Sequence, residues 1–158
     1  MLEVGFGTGA GVIQYAIAAK HVDAVEIDPG AVHFAKEMFP LSNVNWIEAD
    51  ITSWYTTETY EYAIMIETLE HISEWRKALT AIKSHLVPGG QLIMSARNAN
   101  ADLRRWKDLH EREWNAQQLL DNLGIFFPQV YIYDYSLQEQ QSNDTRLTPL
   151  IAIAKKGV

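Results

Sequence analysis

Three alternating glycines near the start of the chain constrain its fold more than any other feature. Gly5, Gly7 and Gly9 follow the short apolar run Leu2–Val4 and precede a stretch whose apolar residues have helical spacing. A strand, a glycine turn and a helix in this order are typical of an α/β sheet, and glycine lets a ligand approach the backbone closely. The turn predicts a nucleotide-like cofactor site, and a glycine turn used only for packing is the alternative.

The rest of the chain alternates between β-rich runs and amphipathic stretches. Further strands are expected over residues 22–27, 44–49, 60–66, 91–96, 130–135 and 150–154, with helices over 11–20, 29–39, 73–86 and 115–123. This alternation indicates a doubly wound α/β fold. No helix separates the last two strands, so we expect them to pair antiparallel.

Composition narrows the class of protein. The chain has 158 residues, the size of one domain, and its 13 basic and 20 acidic residues give a net charge of −7, a poor match for nucleic acid or an anionic membrane. It has no cysteine, which excludes disulfides and thiolate metal sites. No apolar run reaches the roughly 18 residues of a membrane span, and no signal peptide is evident. We therefore expect a cytoplasmic, globular protein.

The glycine turn by itself fits two kinds of cofactor. Gly5, Gly7 and Ala10 satisfy the dinucleotide pattern G-x-G-x-x-A, and Glu26 lies 21 residues after Gly5, where a ribose-binding acidic residue belongs. The glycine turn alone therefore does not distinguish a dehydrogenase from other nucleotide-dependent enzymes.

Motifs further along the chain resemble those of the class I S-adenosylmethionine-dependent methyltransferases. They are Leu-Glu-Val-Gly-Phe-Gly-Thr-Gly at 2–9, Val-Glu-Ile-Asp-Pro at 25–29, Asn-Trp-Ile-Glu-Ala-Asp-Ile at 45–51, and the run 62–71 ending Leu-Glu-His with Leu-Val-Pro-Gly-Gly-Gln-Leu at 86–92. The resemblance covers the whole chain. It implies a single methyltransferase domain over residues 1–158, with a Rossmann-like, doubly wound, seven-stranded and mostly parallel sheet, an antiparallel last strand, flanking helices, and S-adenosylmethionine as cofactor.

The resemblance also implies roles for individual residues. The Glu26 carboxylate would accept both ribose hydroxyls, because Asp28 is already explained as the cap of a helix that begins at Pro29. Asp50 would accept from the adenine amine, and the glycine turn with the Glu67 carbonyl would hold the amino-acid end. The implied cofactor-binding residues are Glu3, Gly5, Gly7, Gly9, Glu26, Ile27, Asp50, Ile51 and Glu67.

A cluster of titratable residues follows the fourth strand. Glu67, Glu70 and His71 have the spacing i, i+3, i+4, which places them on one helical face, and His110 lies further along the chain. The four resemble the metal site of small-RNA 3′-terminal 2′-O-methyltransferases. The other interpretation, favoured by the net charge of −7, is a small-molecule methyltransferase without a metal, in which His71 or His110 deprotonates the acceptor.

The acceptor itself is not evident from the sequence. A small molecule methylated on oxygen, nitrogen or carbon is expected, and a non-catalytic cofactor-binding subunit is a further alternative. Arg97 and the basic residues 104–107 are interpreted as a solvated face rather than an anion clamp. In relatives a helical segment that covers the cofactor and part of the acceptor pocket precedes the first strand. We therefore expect either that this sequence is truncated at its N-terminus relative to the family, or that a partner or a second copy covers the site. We also expect weak cofactor affinity in the chain alone and an exposed apolar edge near the first strand.

Overall fold

The computed structural model describes residues 1–99, 113–133 and 149–158. The strands are β1 (Leu2–Val4), β2 (Val22–Glu26), β3 (Val44–Glu48), β4 (Tyr60–Ile66), β5 (Leu86–Ala96), β6 (Gln129–Tyr133) and β7 (Leu150–Lys155). The α-helices are α1 (Ala10–Ala16), α2 (Pro29–Met38), α3 (Trp75–His85) and α4 (Ala116–Gly124), and a 3₁₀ turn spans Leu69–His71. None of the helices within these ranges is long and apolar enough to cross a lipid bilayer.

The seven strands form one sheet in the order β3-β2-β1-β4-β5-β7-β6. The neighbours from β3 to β5 pair in parallel, whereas β7 runs antiparallel to both β5 and β6. The predicted doubly wound, mostly parallel sheet with an antiparallel last strand is confirmed. The strand order reverses direction between β1 and β4, and the carboxyl ends of strands at such a switch point are where α/β sheets bind ligands.

Two apolar clusters cover the two faces of the sheet. The alternation of side chains along β2 sends Ala24 to the face covered by α1 and α2, and Val25 to the face covered by α3 and α4. β1 lies in the middle of the sheet, and all three of its residues are buried. The apolar edge expected at the first strand is therefore absent from β1 itself.

Most element boundaries agree with the sequence pattern, and two differ for identifiable reasons. Helix α1 ends at Ala16 instead of continuing to residue 20, because the Asn43 side-chain amide donates to the carbonyls of Ala16 and Ala19 at 2.8 and 2.9 Å. Strand β5 begins five residues early, because Leu86 already pairs with Tyr60 and residues 87–90 form an irregularity within the strand.

The end of β2 enters α2 as the sequence predicts. Asp28 is the N-cap, its carboxylate accepts the Gly30 N–H at 2.8 Å, and Pro29 is the first helical residue. The Asp28 side chain is thus engaged in the helix cap, as the sequence predicts.

Candidate cofactor and acceptor site

An open cavity of about 530 Å³ lies at the carboxyl ends of β1 to β4. This volume is within the usual range for small-molecule sites. Eight predicted site residues line it: Gly5, Gly7, Glu26, Ile27, Asp50, Ile51, Glu67 and His71. Glu3 and Gly9 do not line the cavity, and His110 lies outside the described residues. The sheet thus brings together residues from four separate motifs.

The Glu26 carboxylate joins the glycine turn to the end of β2. One oxygen accepts the Gly7 N–H at 2.9 Å, and the other accepts the N–H groups of Ile27 and Asp28 at 2.8 and 3.1 Å. Three donors hold the carboxylate in one orientation at the cavity wall. The two oxygens together offer about four lone-pair directions, and three of them are used here. The oxygen that accepts the Gly7 N–H therefore has a direction open for one ligand hydroxyl, and a second hydroxyl would replace one of the N–H groups.

The surroundings of the three glycines differ in whether they leave room for a side chain. All three have positive φ angles, but a Cβ on Gly5 would lie 2.2 Å from the Thr68 methyl group, and a Cβ on Gly9 would lie 3.0 Å from the Trp46 ring. A Cβ on Gly7 would meet no protein atom within 4 Å. Packing inside the protein therefore explains Gly5 and Gly9, whereas Gly7 leaves its open side to the cavity.

Asp50 and Ile51, which follow β3, form a second predicted part of the cavity wall. Asp50 follows β3 and is exposed, and its carboxylate accepts the Thr52 N–H at 2.8 Å in a local turn. Its neighbour Ile51 is buried and contributes an apolar surface beside it. An exposed carboxylate next to an apolar side chain can hold a planar ring that carries an amino group.

The segment from the end of β4 to the start of α3 forms the remaining wall. Glu67 and His71 were predicted here, and the structure adds Thr68 and residues 72–74. No sequence motif pointed to these further residues. Their position could have identified them, because they follow the carboxyl end of β4, which lies next to the switch point of the sheet. Among the residues that the structure describes, no lysine or arginine lines the cavity.

The prediction that Glu67, Glu70 and His71 share one face is wrong for Glu70. Glu70 is fully buried in the 3₁₀ turn and does not line the cavity. Burial raises the pKa of Glu70 to about 7, and the charge of Glu67 acts in the same direction. Within residues 1–99, 113–133 and 149–158, no three His, Asp or Glu side chains are placed to hold a metal ion.

Glu3 lies beneath the glycine turn rather than on the cavity surface. It is 4% exposed and faces the Tyr15 hydroxyl of α1. Burial raises the pKa of Glu3 to about 8 and also raises the pKa of Tyr15. Glu3 is therefore largely protonated at neutral pH, and its predicted contact with the cofactor would require a change in its surroundings.

Arg97, the described basic residue after β5, does not line the cavity. Arg97 pairs with Glu113 at 3.3 Å, and residues 104–107 lie outside the described ranges. Lys77, on the first turn of α3, pairs with Glu74 at 2.5 Å. Arg76, next to Lys77, lies 4.2 Å from the centroid of the Trp75 ring. Of these three described cations, Arg97 and Lys77 are thus engaged with carboxylates and Arg76 with an aromatic ring.

Comparison with known sequences identifies a family. The family described as "Methyltransferase domain" matches residues 1–90, more than half of the chain and nearly all of the predicted motifs. The competing prediction of a dehydrogenase is therefore wrong.

Individual relatives are more distant. Nodulation protein S of Sinorhizobium fredii is 28% identical over 109 residues, which are 66% of this chain and 50% of that protein. An (S)-tetrahydroprotoberberine N-methyltransferase of Eschscholzia californica is 23% identical over 133 residues, which are 81% of this chain and 36% of that enzyme. The chain thus spans half, or less, of the length of these two relatives.

A solved structure supports the fold. The N-methyltransferase NodS from Bradyrhizobium japonicum, in complex with S-adenosylhomocysteine, superposes with a TM-score of 0.71 and 23% identity. The match covers 98% of this chain and 76% of that one. At this identity the similarity establishes the shared architecture.

Proposed function

Since the chain belongs to the methyltransferase domain family, we propose that it transfers a methyl group from S-adenosylmethionine to a nitrogen atom of a small molecule. One observation carries this proposal. The glycine turn, the acidic ends of β2 and β3, and the end of β4 converge on a single cavity at the switch point of the sheet.

The residues present fit the cofactor. The open side of Gly7 is a space that a Cβ would fill, and the Glu26 carboxylate beside it is oriented by three N–H groups. Glu26 would hold the ribose hydroxyls, and Asp50 with Ile51 would hold the adenine. The glycine turn and Glu67 would hold the amino-acid end. When bound, the cofactor supplies a methyl group activated by a positively charged sulfur.

The charges on the cavity wall at the end of β4 favour an amine as the acceptor of the methyl group. Among the described residues, the cavity wall carries the carboxylate of Glu67 and no lysine or arginine. Of the described cations nearby, Lys77 and Arg97 are paired with Glu74 and Glu113, and Arg76 lies over the Trp75 ring. This part of the wall would attract a basic amine through Glu67 and offers an anionic acceptor no cation. The relative from Eschscholzia californica is itself named an N-methyltransferase, which is consistent with this choice.

Besides binding the cofactor, the chain positions the acceptor nitrogen and removes its proton. The wall formed by residues 67, 68 and 71–74 holds the acceptor nitrogen in line for transfer, which by itself supplies much of the acceleration. His71 lines the cavity, and one of its ring nitrogens accepts the proton that the amine must release. His110 stays a second predicted base outside the described part of the chain.

The metal-dependent RNA methyltransferase is the less favoured alternative. It requires Glu70 to join Glu67 and His71, but Glu70 is buried in the core. A polyanionic RNA end would also face an acidic wall.

We further propose that the protein acts in the cytoplasm, and that a partner or a second copy covers the mouth of the cavity.

Calorimetry tests the cofactor. The wild-type protein should bind S-adenosylhomocysteine and not NAD. Glu26→Ala should weaken that binding by about tenfold or more, because a held carboxylate is lost. Glu48→Ala is the matched control, since Glu48 is exposed at the register position opposite Glu26 and does not line the cavity. Tighter binding of NAD would overturn the proposal.

Transfer of a labelled methyl group tests the acceptor. We expect product from small primary or secondary amines and none from matched alcohols or carboxylates. Product from the alcohols alone would overturn the choice of nitrogen. Firm S-adenosylhomocysteine binding without transfer to any member of the panel would instead favour the non-catalytic alternative.

A further inference from the structure

The residue after β4 has an unusual backbone conformation. Glu67 has φ of 47°, and it is the only residue other than glycine with a positive φ in the described part of the chain. Side chains with a Cβ disfavour this left-handed region, so the surroundings must hold Glu67 there. Because Glu67 lines the cavity, this local geometry decides what its carbonyl and carboxylate can face.

A single hydroxyl on the neighbouring strand contacts Glu67 at two atoms. Ser95 lies on β5, in register with Ile66, and its side-chain oxygen accepts the Glu67 N–H at 3.1 Å. The same hydroxyl donates to the Glu67 carboxylate at 2.6 Å. A hydroxyl has one proton to donate and accepts through its lone pairs, so both bonds form at once. Ser95 is 5% exposed and does not line the cavity.

The following residue ties the same turn to the backbone from its other side. The Thr68 hydroxyl donates to the Ile66 carbonyl at 2.8 Å and lies 3.3 Å from the Gly5 carbonyl. The Thr68 methyl group occupies the space that a Cβ on Gly5 would need. The turn is therefore packed against the glycine turn and hydrogen-bonded to β5.

We propose that Ser95 is a positioning residue whose hydroxyl holds Glu67 in its left-handed conformation, so that Glu67 faces the cofactor and acceptor. This inference rests on the proposed function. Ser95 would act only through Glu67, since the cavity is lined by Glu67 and not by Ser95. The serine has no place in the motifs of the sequence, and its side chain makes two hydrogen bonds to Glu67.

A double-mutant cycle separates positioning from packing. Ser95→Ala in the wild-type background should weaken S-adenosylhomocysteine binding by about tenfold. Glycine adopts a positive φ without strain and has no carboxylate, so Ser95→Ala added to Glu67→Gly should change that affinity by less than about twofold. Ser84→Ala is the control, because this exposed hydroxyl bonds within α3, away from the cavity.

The outcomes are distinguishable. An equal loss of affinity in both backgrounds would show that the Ser95 hydroxyl only supports the strand, and would overturn the proposal. If the wild-type protein bound no S-adenosylhomocysteine, the proposed function would fail instead. Thermal unfolding of the same four proteins would then test the conformational role. Ser95→Ala should lower the Tm of the protein that keeps Glu67, and it should have little effect on the Tm of the Glu67→Gly variant. Equal Tm shifts in both backgrounds would overturn the conformational role.

Discussion

At the scale of single residues, burial decides which of the acidic side chains can meet a ligand. Glu26, Asp50 and Glu67 line the cavity, whereas Glu3 and Glu70 are buried. All five lie within the predicted motifs, and nothing in their local sequence separates the two groups. The difference arises from the direction in which each side chain leaves its strand or turn. The pKa values of the two buried residues are raised as a result.

Glu3 should give the stability of the protein a measurable pH dependence. Its pKa is about 8 in the folded protein against 4.5 for an unperturbed side chain, so the unfolded chain releases the proton more readily. The free energy of unfolding should therefore decrease as the pH rises from about 4.5 to about 8. Glu3→Gln should flatten this decrease and stabilise the protein at pH 8 by at least about 1 kcal/mol.

Urea unfolding at several pH values measures this effect. Glu48→Gln, at an exposed carboxylate, serves as the control and should keep the wild-type slope. Parallel curves for wild type and Glu3→Gln would contradict the assignment of a protonated Glu3. Glu70 contributes a decrease of the same sign in both proteins, so the difference between the curves belongs to Glu3.

At the scale of elements, the start of β5 shows how neighbouring glycines differ. Gly90 lies where a Cβ would be 2.9 Å from the Val87 carbonyl oxygen and 3.1 Å from that of Tyr60. Gly89 has φ of 78° with open space around it. Close backbone packing therefore requires Gly90, whereas conformation alone requires Gly89.

Substitutions at the two positions should differ in cost. Gly90→Ala should lower the free energy of unfolding by about 1–3 kcal/mol, because backbone atoms cannot move aside cheaply. Gly89→Asn should cost less, since asparagine tolerates the left-handed conformation. Urea titration of both variants measures the difference. A smaller loss for Gly90→Ala than for Gly89→Asn would show that the strand irregularity rearranges freely.

At the scale of the whole molecule, β7 holds one half of the sheet together. It lies between β5 and β6 and pairs with both, and Leu150, Ala152 and Ala154 are fully buried on it. The Lys156 N–H also donates to the Gly90 carbonyl at 2.9 Å. Without β7, strand β6 would have no partner and one long edge of β5 would be exposed.

Removal of residues 149–158 should therefore abolish cooperative unfolding. Circular dichroism during thermal denaturation measures this, and we expect a broad transition without a defined Tm. Removal of Val158 alone is the control, because that residue is fully exposed, and its Tm should stay within about 2 °C of the wild-type value. A sharp transition in the longer deletion would contradict the role assigned to β7.

The sequence by itself determined the order of the elements, the parallel sheet with its antiparallel last strand, and the cavity-lining residues that follow strands directly. Periodicity, caps such as Asp28 and glycine turns act over a few neighbouring residues, so they are readable without the fold. Only the tertiary structure decided that Glu70 turns into the core, that Gly5 must make room for Thr68, and that Ser95 meets Glu67. These outcomes depend on contacts between residues far apart in the chain, or on the direction in which a side chain packs, and local sequence carries no record of either.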